Sequence, residues 1–428
     1  MSAARLGAGA PEPLFDLTGC EETYCDVLVV GCGVAGLYAA LNLPSNLAVE
    51  MICKDDVASC DSMLAQGGIC VQRDDDDYQP WYDDTMRAGH YENRPESVDI
   101  MIRESRALID DLMAIGVEFD RTVEGDLDYT REGAHSRPRI LHKADLTGAE
   151  ITTKLLAAVR SRPNINISEY TTMHDLLVAP DESCVGIMAC DGSGEPLLIH
   201  AHDVILATGG VGGLFPRTTN VRNLTGDGCR ICDRAGIRIE HMDYVQIHPT
   251  GLYTPDGGRT FLISESCRGE GAILLNAKGE RFCDELQPRD VVTQEIRKQM
   301  EEDGLPYVRL SFENVPREVI LGHFANIYRH CLEVGYDITR EPIPVAPAQH
   351  YLMGGIWTDE DGRTTMPHLY AVGETSCNGV HGKNRLASNS LLEAMVFGRR
   401  AALDVGATYA AAKNTRPSSA ESFERTIA

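Results

Sequence analysis

Three glycines in the run Gly31-Cys32-Gly33-Val34-Ala35-Gly36 have the spacing with which a chain holds a nucleotide pyrophosphate. The first makes a tight turn, the second lets the backbone approach the phosphates, and the third allows a helix to pack closely on a strand with the phosphates at its N-terminus. The flanks suit that chemistry. Cys25 to Val30 is an apolar run of buried-strand length, and Leu37 to Leu43 has a helical pattern. A second apolar run, Leu47 to Cys53, completes a strand-helix-strand unit. The acid that commonly ends this second strand is missing: Cys53-Lys54 stands there and Glu50 falls three residues early, which disfavours an ordinary nicotinamide site. Cys229-Arg-Ile-Cys232 is the only CxxC in the chain. Without a second pair it is a weak metal signal, open between a packed helix face and a redox or cluster role.

The elements that must carry these residues are those of a large globular protein. The chain has 428 residues, 43% apolar and 24% charged, enough for two or three domains. That excludes a lone peptide-binding module and a disordered or fibrous chain. A net charge of -25 repels phosphate backbones and anionic lipid, and no basic run offsets it, so neither a nucleic acid nor a membrane is an expected partner. The densest charge run, Asp74 to Asp77, reads as a solvated loop. No stretch approaches the roughly 18 to 20 apolar residues that span a bilayer, and the N-terminus has no secretory pattern, so a soluble, cytoplasmic protein is expected. Fourteen cysteines are too few for a disulfide scaffold and read as small hydrophobes.

Order is expected from Tyr24 onward. Glu96 to Ile115 reads as an amphipathic helix stopped by Gly116. Short β-type runs follow at Ile165–Tyr170, Leu176–Ala179, Cys184–Cys190 and Leu197–Ala207. From about 242 to 350 the parallel-strand rhythm is lost among scattered helices such as Arg289–Glu302 and Pro316–Val334, as in an inserted second domain. Leu369 to Glu374 is again a strand ending in glycine, and Ala387 to about Val405 a long helix.

Several strings occur in order along residues 24 to 407: Asp61-Ser62-Met63-Leu64-Ala65-Gln66-Gly67-Gly68, Ala207-Thr208-Gly209-Gly210, His248-Pro249-Thr250, Arg268-Gly269-Glu270-Gly271-Ala272, Pro288-Arg289-Asp290 and Gly382-Lys383-Asn384-Arg385-Leu386-Ala387-Ser388-Asn389-Ser390-Leu391. With them the chain resembles the flavoprotein superfamily of succinate dehydrogenases, fumarate reductases and L-aspartate oxidases. The resemblance implies an α/β fold, with a Rossmann-like FAD-binding domain at 25–241 and 351–410 and an inserted α+β capping domain at 242–350. A loose leader at 1–24 and a polar tail at 411–428 would flank them, and the family's C-terminal helical domain would be absent. By position, the flavin contacts it implies fall on Gly31 to Gly36, Lys54, Asp61 to Gly68, Asp227, Glu374, Ser390 and Leu391. Family members that bind flavin covalently use a histidine where Asp61 stands, so noncovalent FAD is implied.

The same resemblance assigns a dicarboxylate site to His248, Ser264, His350 and Arg385, groups that match two substrate carboxylates. Arg289 falls on the arginine that superfamily members use to transfer a proton. From its chemistry alone a guanidinium is an electrostatic clamp, since it does not readily deprotonate. Glu265 and Arg268 fall on the family's proton relay, or else form a plain ion pair. Glu132, within Thr130-Arg131-Glu132-Gly133-Ala134-His135-Ser136 and upstream of Arg139-Ile140-Leu141-His142, matches the L-aspartate oxidase form of this loop, whose glutamate faces the substrate ammonium; the other reading is one surface acid among 64. The implied reaction is oxidation of L-aspartate to iminosuccinate, with oxygen (giving hydrogen peroxide) or fumarate as electron acceptor. It would feed quinolinate synthase in NAD biosynthesis. The alternatives are a soluble fumarate reductase or succinate dehydrogenase-like flavoprotein, a nicotinamide-dependent dehydrogenase, and a silent flavin-binding subunit.

Overall fold

A computed structural model describes residues 5–6, 19–255 and 258–415. Its central sheet is built around the strand Pro196–Leu206. One edge of that strand pairs in parallel with Glu21–Val30, which pairs with Val49–Ile52, and that in turn with Ile165–Ser168. The other edge is shared. Its first half pairs antiparallel with Cys184–Cys190, and its last three residues, Val204 to Leu206, pair in parallel with Leu369–Ala371. The chain therefore returns to this sheet after the insertion, and the parallel strands end together at one rim, where ligands of such sheets bind.

Two cores cover the two faces of the sheet. On one, the helices Val34–Asn42, Pro95–Ala114, Thr147–Arg160 and Ser390–Thr415 bury Leu37, Met101, Leu155 and Phe397 against Val27 and Val29. On the other, the helix Asp227–Arg234 packs Ile231 with Leu28 and Val204. Cys229 and Cys232 are buried and free on that helix face, as the packing alternative has it. A third, separate core fills the insertion under a four-stranded sheet in the order Val245–Leu252, Ile343–Leu352, Val308–Ser311, Ile273–Leu275.

Three elements and one loop differ from the sequence reading. The first long strand starts at Glu21, because the long Pro196–Leu206 partner extends the ladder past the apolar run. Most of the 1–24 leader lies outside the described residues. The C-terminal helix runs Ser390–Thr415, beyond the expected end near Val405 and into the segment assigned to a polar tail; residues 416–428 lie outside the described residues. The helix expected over 316–334 breaks into Arg317–Gly322 and Ala325–Glu333. The acidic run is not wholly a solvated loop: Asp75–Asp77 is a short 3-10 turn, and buried Asp77 meets buried Arg139 at 3.0 Å.

Candidate active site

The glycine run sits as its spacing requires. Gly31 has φ +116°, and a Cβ there would lie 2.1 Å from the carbonyl oxygen of Ala207, so the two strand ends approach only because the residue is glycine. A Cβ on Gly36 would lie 2.0 Å from the Gly31 oxygen, which is the close helix-strand packing expected of the third glycine. The helix Val34–Asn42 has Gly33 as its cap with no side-chain hydrogen bond, and the Val34 N–H donates to Ser62 Oγ at 3.1 Å. From this helix end a cavity of about 450 Å³ runs between the sheet rim and the insertion.

Every sequence-selected cofactor residue except Gly36 lines that cavity, from Gly31 to Ala35 through Lys54, Asp61 to Gly68 and Asp227 to Glu374, Ser390 and Leu391. Lys54, just past the strand Val49–Ile52, is ion-paired with Asp227 at the start of the helix Asp227–Arg234. Glu50 does not serve the cavity; its carboxylate accepts from Ser168 Oγ at 2.6 Å. FAD fits these residues. The helix N-terminus suits a pyrophosphate, and buried Asp61 Oδ2, Gln66 Oε1 and Asn223 Oδ1 on the lining have no partner among the described residues. Burial pushes the Asp61 carboxyl up to about 7 and that of Glu374 up to about 8, so both hold protons in the range where ordinary carboxylates are ionised.

Asp61 Oδ1 accepts from the Val221 N–H at 2.8 Å. A carboxylate at this place offers no histidine nitrogen to the flavin. We expect acid precipitation of the yellow protein to leave all FAD in the supernatant; colour remaining in the pellet would show a covalent link.

At the opposite end of the cavity the insertion supplies His248, Ser264, Glu265, Arg289 and His350, and the FAD-binding domain supplies Arg385 and Glu132. One residue joins the two arginines. Gln246 Oε1 accepts from Arg289 Nη1 at 2.8 Å and from Arg385 Nε at 3.3 Å, while its amide nitrogen donates to Asn384 Oδ1 and to the Arg385 carbonyl, both at 2.8 Å. Arg385 also lies 4.6 Å over the ring of Tyr351 and donates to Ser390 Oγ. Burial and the nearby Arg289 charge bring the Arg385 guanidinium down to about 10. Two cations held this close are stabilised by the arrival of anions.

The histidines enter as neutral donors. Burial, with Arg289 next in weight for His248 and Arg385 for His350, holds both well below the usual imidazole range. The Thr250 N–H donates to His248 Nδ1 at 3.2 Å, so His248 carries its proton on Nε2. That buried atom has no partner among the described residues and can donate to a substrate carboxylate. His350 Nδ1 meets Thr219 Oγ1 at 2.7 Å, and the two rings stand edge to face 5.1 Å apart.

Behind Arg289 the carboxylate Glu265 accepts from its Nε at 2.6 Å, and Arg268 Nη2 lies 3.5 Å from the same oxygen. Burial alone would raise Glu265, but Arg289 and Arg268 outweigh it and hold the carboxyl below its usual range. Arg268 is fully buried and does not line the cavity. The three thus form a row leading inward from the cavity wall.

Glu132 is no surface acid. It is buried and lines the cavity, its two oxygens accepting from Ser266 Oγ at 2.7 Å and Ser388 Oγ at 2.6 Å. Burial first and Glu265 second raise its carboxyl above the usual range, against the pull of those hydroxyls and Arg289. Ser264 Oγ caps the helix Glu265–Gly269 by accepting from the Ser266 N–H at 3.3 Å, and donates to Ser266 Oγ at 3.2 Å. The hydroxyl pair thus links Ser264 to Glu132. The Glu132 loop is anchored through His135, whose Nε2 meets the Ala387 carbonyl at 3.0 Å and whose Nδ1 meets Arg139 Nη1 at 2.9 Å.

Sequence reasoning missed Gln246, Ser266 and Ser388. Gln246 was within reach, since it precedes His248 by two residues on one strand and alternate residues share a face. The serines carry no spacing signal; only the fold brings them to Glu132.

A family model described as an FAD binding domain matches residues 26–391. Among curated proteins, the L-aspartate oxidase of Clostridium perfringens is 49% identical over 381 residues, covering 89% of this chain and 86% of that one. That of Neisseria meningitidis is 41% identical over 418 residues, covering 95% and 83%. Among solved structures, a mutant of E. coli quinol fumarate reductase FrdA superposes with TM-score 0.86 at 30% identity, covering 95% of this chain and 73% of that one.

Proposed function

We infer the reaction from one premise: the chain belongs to the FAD-binding flavoprotein family, among its L-aspartate oxidases. It catalyses the FAD-dependent oxidation of L-aspartate to iminosuccinate. The observation that carries the residue assignment is a buried carboxylate, Glu132, set into a cavity end otherwise furnished with Arg289, Arg385 and two neutral histidines. Two cations and two imidazole donors suit two carboxylates, and Glu132, which unlike its neighbour Glu265 is ion-paired to no arginine, suits an ammonium.

Bound FAD, held along Gly31 to Ala35 and Asp61 to Gly68, supplies the acceptor for the two electrons that leave the substrate. The side chains do the rest. Arg385 and His350 grip one substrate carboxylate and His248 the other, joined by Ser264 once its single hydroxyl proton turns from Ser266 Oγ to the substrate, while Gln246 fixes the spacing of Arg385 and Arg289. Glu132 accepts from the substrate ammonium. Oxidation also releases a proton, and fumarate reduction takes one up; we assign it to Arg289, which as a cation can give its proton to fumarate and in oxidation can take one only after passing its own inward to Glu265, its ion-pair partner. Oxygen and fumarate are the acceptors we assign. The unstable imine product suits direct use by quinolinate synthase in NAD biosynthesis. Fourteen free thiols support a cytoplasmic place, and among the described residues no helix is long and apolar enough to cross a membrane. Adding L-aspartate without oxygen should bleach the FAD absorbance and adding succinate should not; the reverse pattern would sink the assignment.

The raised Glu132 carboxyl gives a pH dependence with a definite sign. Free enzyme keeps Glu132 protonated to a higher pH than an ordinary carboxylate, and only the ionised form pairs with an ammonium. The kcat/KM for aspartate should therefore climb with pH through that raised value. Fumarate reduction should lack this limb, and so should aspartate oxidation by a Glu132→Gln variant. A limb that persists in the variant would assign it to another group.

A further inference from the structure

Away from the cavity, two imidazoles converge on one buried carboxylate of the central strand Pro196–Leu206. His202 Nδ1 lies 2.8 Å from Asp203 Oδ2, and His368 Nδ1 lies 2.9 Å from Asp203 Oδ1. One ligand atom from each of the three falls within 4.8 Å of the others. The register explains the meeting: Val204 pairs with Leu369, and the Val204 N–H donates to the His368 carbonyl at 3.0 Å, so His368 arrives beside Asp203. We propose that His202, Asp203 and His368 form a binding site for a divalent transition-metal ion of borderline softness, zinc in the first place.

The donor set is two imidazole nitrogens and a carboxylate oxygen, which suits zinc, with water completing a four-coordinate shell. Separations of 2.8 and 2.9 Å, each to a different oxygen of Asp203, fall about half an ångström short of the roughly 3.4 Å between tetrahedral ligands about 2.1 Å from a common ion, so the site forms by an outward shift of that size of two partly exposed rings. Each ring would then carry its proton on Nε2. His368 is held at φ +63°, a left-handed conformation that costs free energy in a non-glycine residue and aims its ring at Asp203. The surrounding charge favours a cation. Asp181 acts electrostatically on His368, and Tyr409, whose ring centroid lies 4.6 Å from that of His202, donates its hydroxyl to Asp26 Oδ1 at 2.8 Å. No arginine or lysine is hydrogen-bonded to the three residues among the described contacts.

None of the three lines the cofactor cavity. His202 and Asp203 precede the insertion and His368 follows it, so a bound ion would staple the two parts of the FAD-binding domain across a long intervening chain, where a cross-link removes much unfolded-state freedom. This proposal stands independently of the reaction assigned above.

The test uses the full-length, FAD-loaded protein and Zn²⁺ alone. Equilibrium dialysis with metal analysis should find one more zinc equivalent on the wild type than on His202→Ala or His368→Ala, the cysteines being common to all three. Zinc should raise the melting temperature of the wild type by several degrees and leave the variants unmoved, with aspartate oxidation equal in all. Should the alanine variants fold poorly, Asp203→Asn keeps the shape and loses the anionic ligand, and it too should lose the equivalent. Equal zinc on wild type and folded variants, or equal thermal shifts, would overturn the proposal and leave the cluster as a hydrogen-bonded clamp.

Discussion

An Arg289→Lys variant is expected to lose turnover on the order of a hundredfold or more in both aspartate oxidation and fumarate reduction. Charge alone does not meet the geometry. The guanidinium uses Nε on Glu265 at 2.6 Å and Nη1 on Gln246 at 2.8 Å, two directions set by a rigid plane, which leaves Nη2 for the substrate. A lysine ammonium has the charge but not the fork: turned toward Glu265 it leaves Gln246 and the substrate, and turned toward the substrate it leaves a buried carboxylate unpaired. The preserved charge should keep KM for the dicarboxylate within a few-fold while kcat falls. Steady-state kinetics in both directions measure this. Near-normal fumarate reduction by the folded, FAD-loaded variant would remove Arg289 from the chemistry.

The second large effect separates one substrate from the other. Aspartate and succinate share both carboxylates and differ by an ammonium, so under the proposed roles His248, His350 and Arg385 should serve either, and Glu132 only the amine. Losing a charge-assisted contact costs about 1.5–3 kcal/mol, roughly ten- to a hundredfold in specificity. Glu132→Gln retains the shape and can still meet Ser266 and Ser388, which limits damage to the loop. The ratio of kcat/KM for aspartate oxidation to that for fumarate reduction should fall by that factor, with the fumarate value little changed. An equal fall in both would make Glu132 a support for the Ser264–Ser266 hydroxyls and no reader of the ammonium.

What could be read from the sequence follows from how far each signal reaches along the chain. The glycine run, its strand and its helix are local, and they stand where the periodicity places them. The groups that meet at the cavity end were legible through motif strings, because each string keeps a side chain and its immediate support together. The Asp74 to Asp77 run misled because charge density says nothing of partners: Arg139 lies more than sixty residues away in sequence, and pairing makes Asp77 a buried group. The helix Tyr78–Ala88 escaped notice for a related reason. Its buried face includes Asp84 and Thr85, so the apolar pattern is diluted by residues whose burial depends on Arg139 and Asn389. Gln246 shows the same limit inside the site, being a polar group whose purpose appears only when two arginines from different domains arrive at its oxygen.

The insertion leaves and rejoins the FAD-binding domain through Val245–Leu252 and Ile343–Leu352, which are paired with each other from Val245 opposite Leu352 onward. Exit and return are therefore neighbours, and the whole unit hangs from a single ribbon, the arrangement under which an inserted domain is exchanged without disturbing its host. In its connectivity it is a cassette. An exchanged unit would bring its own versions of Ser264 and Arg289, and with the ribbon its own His248 and His350. Arg385 and Glu132 would stay behind on the host. Under the proposed roles, recognition of a carboxylate would be shared between the exchangeable unit and its host, while the choice of an amine would stay with the cofactor domain.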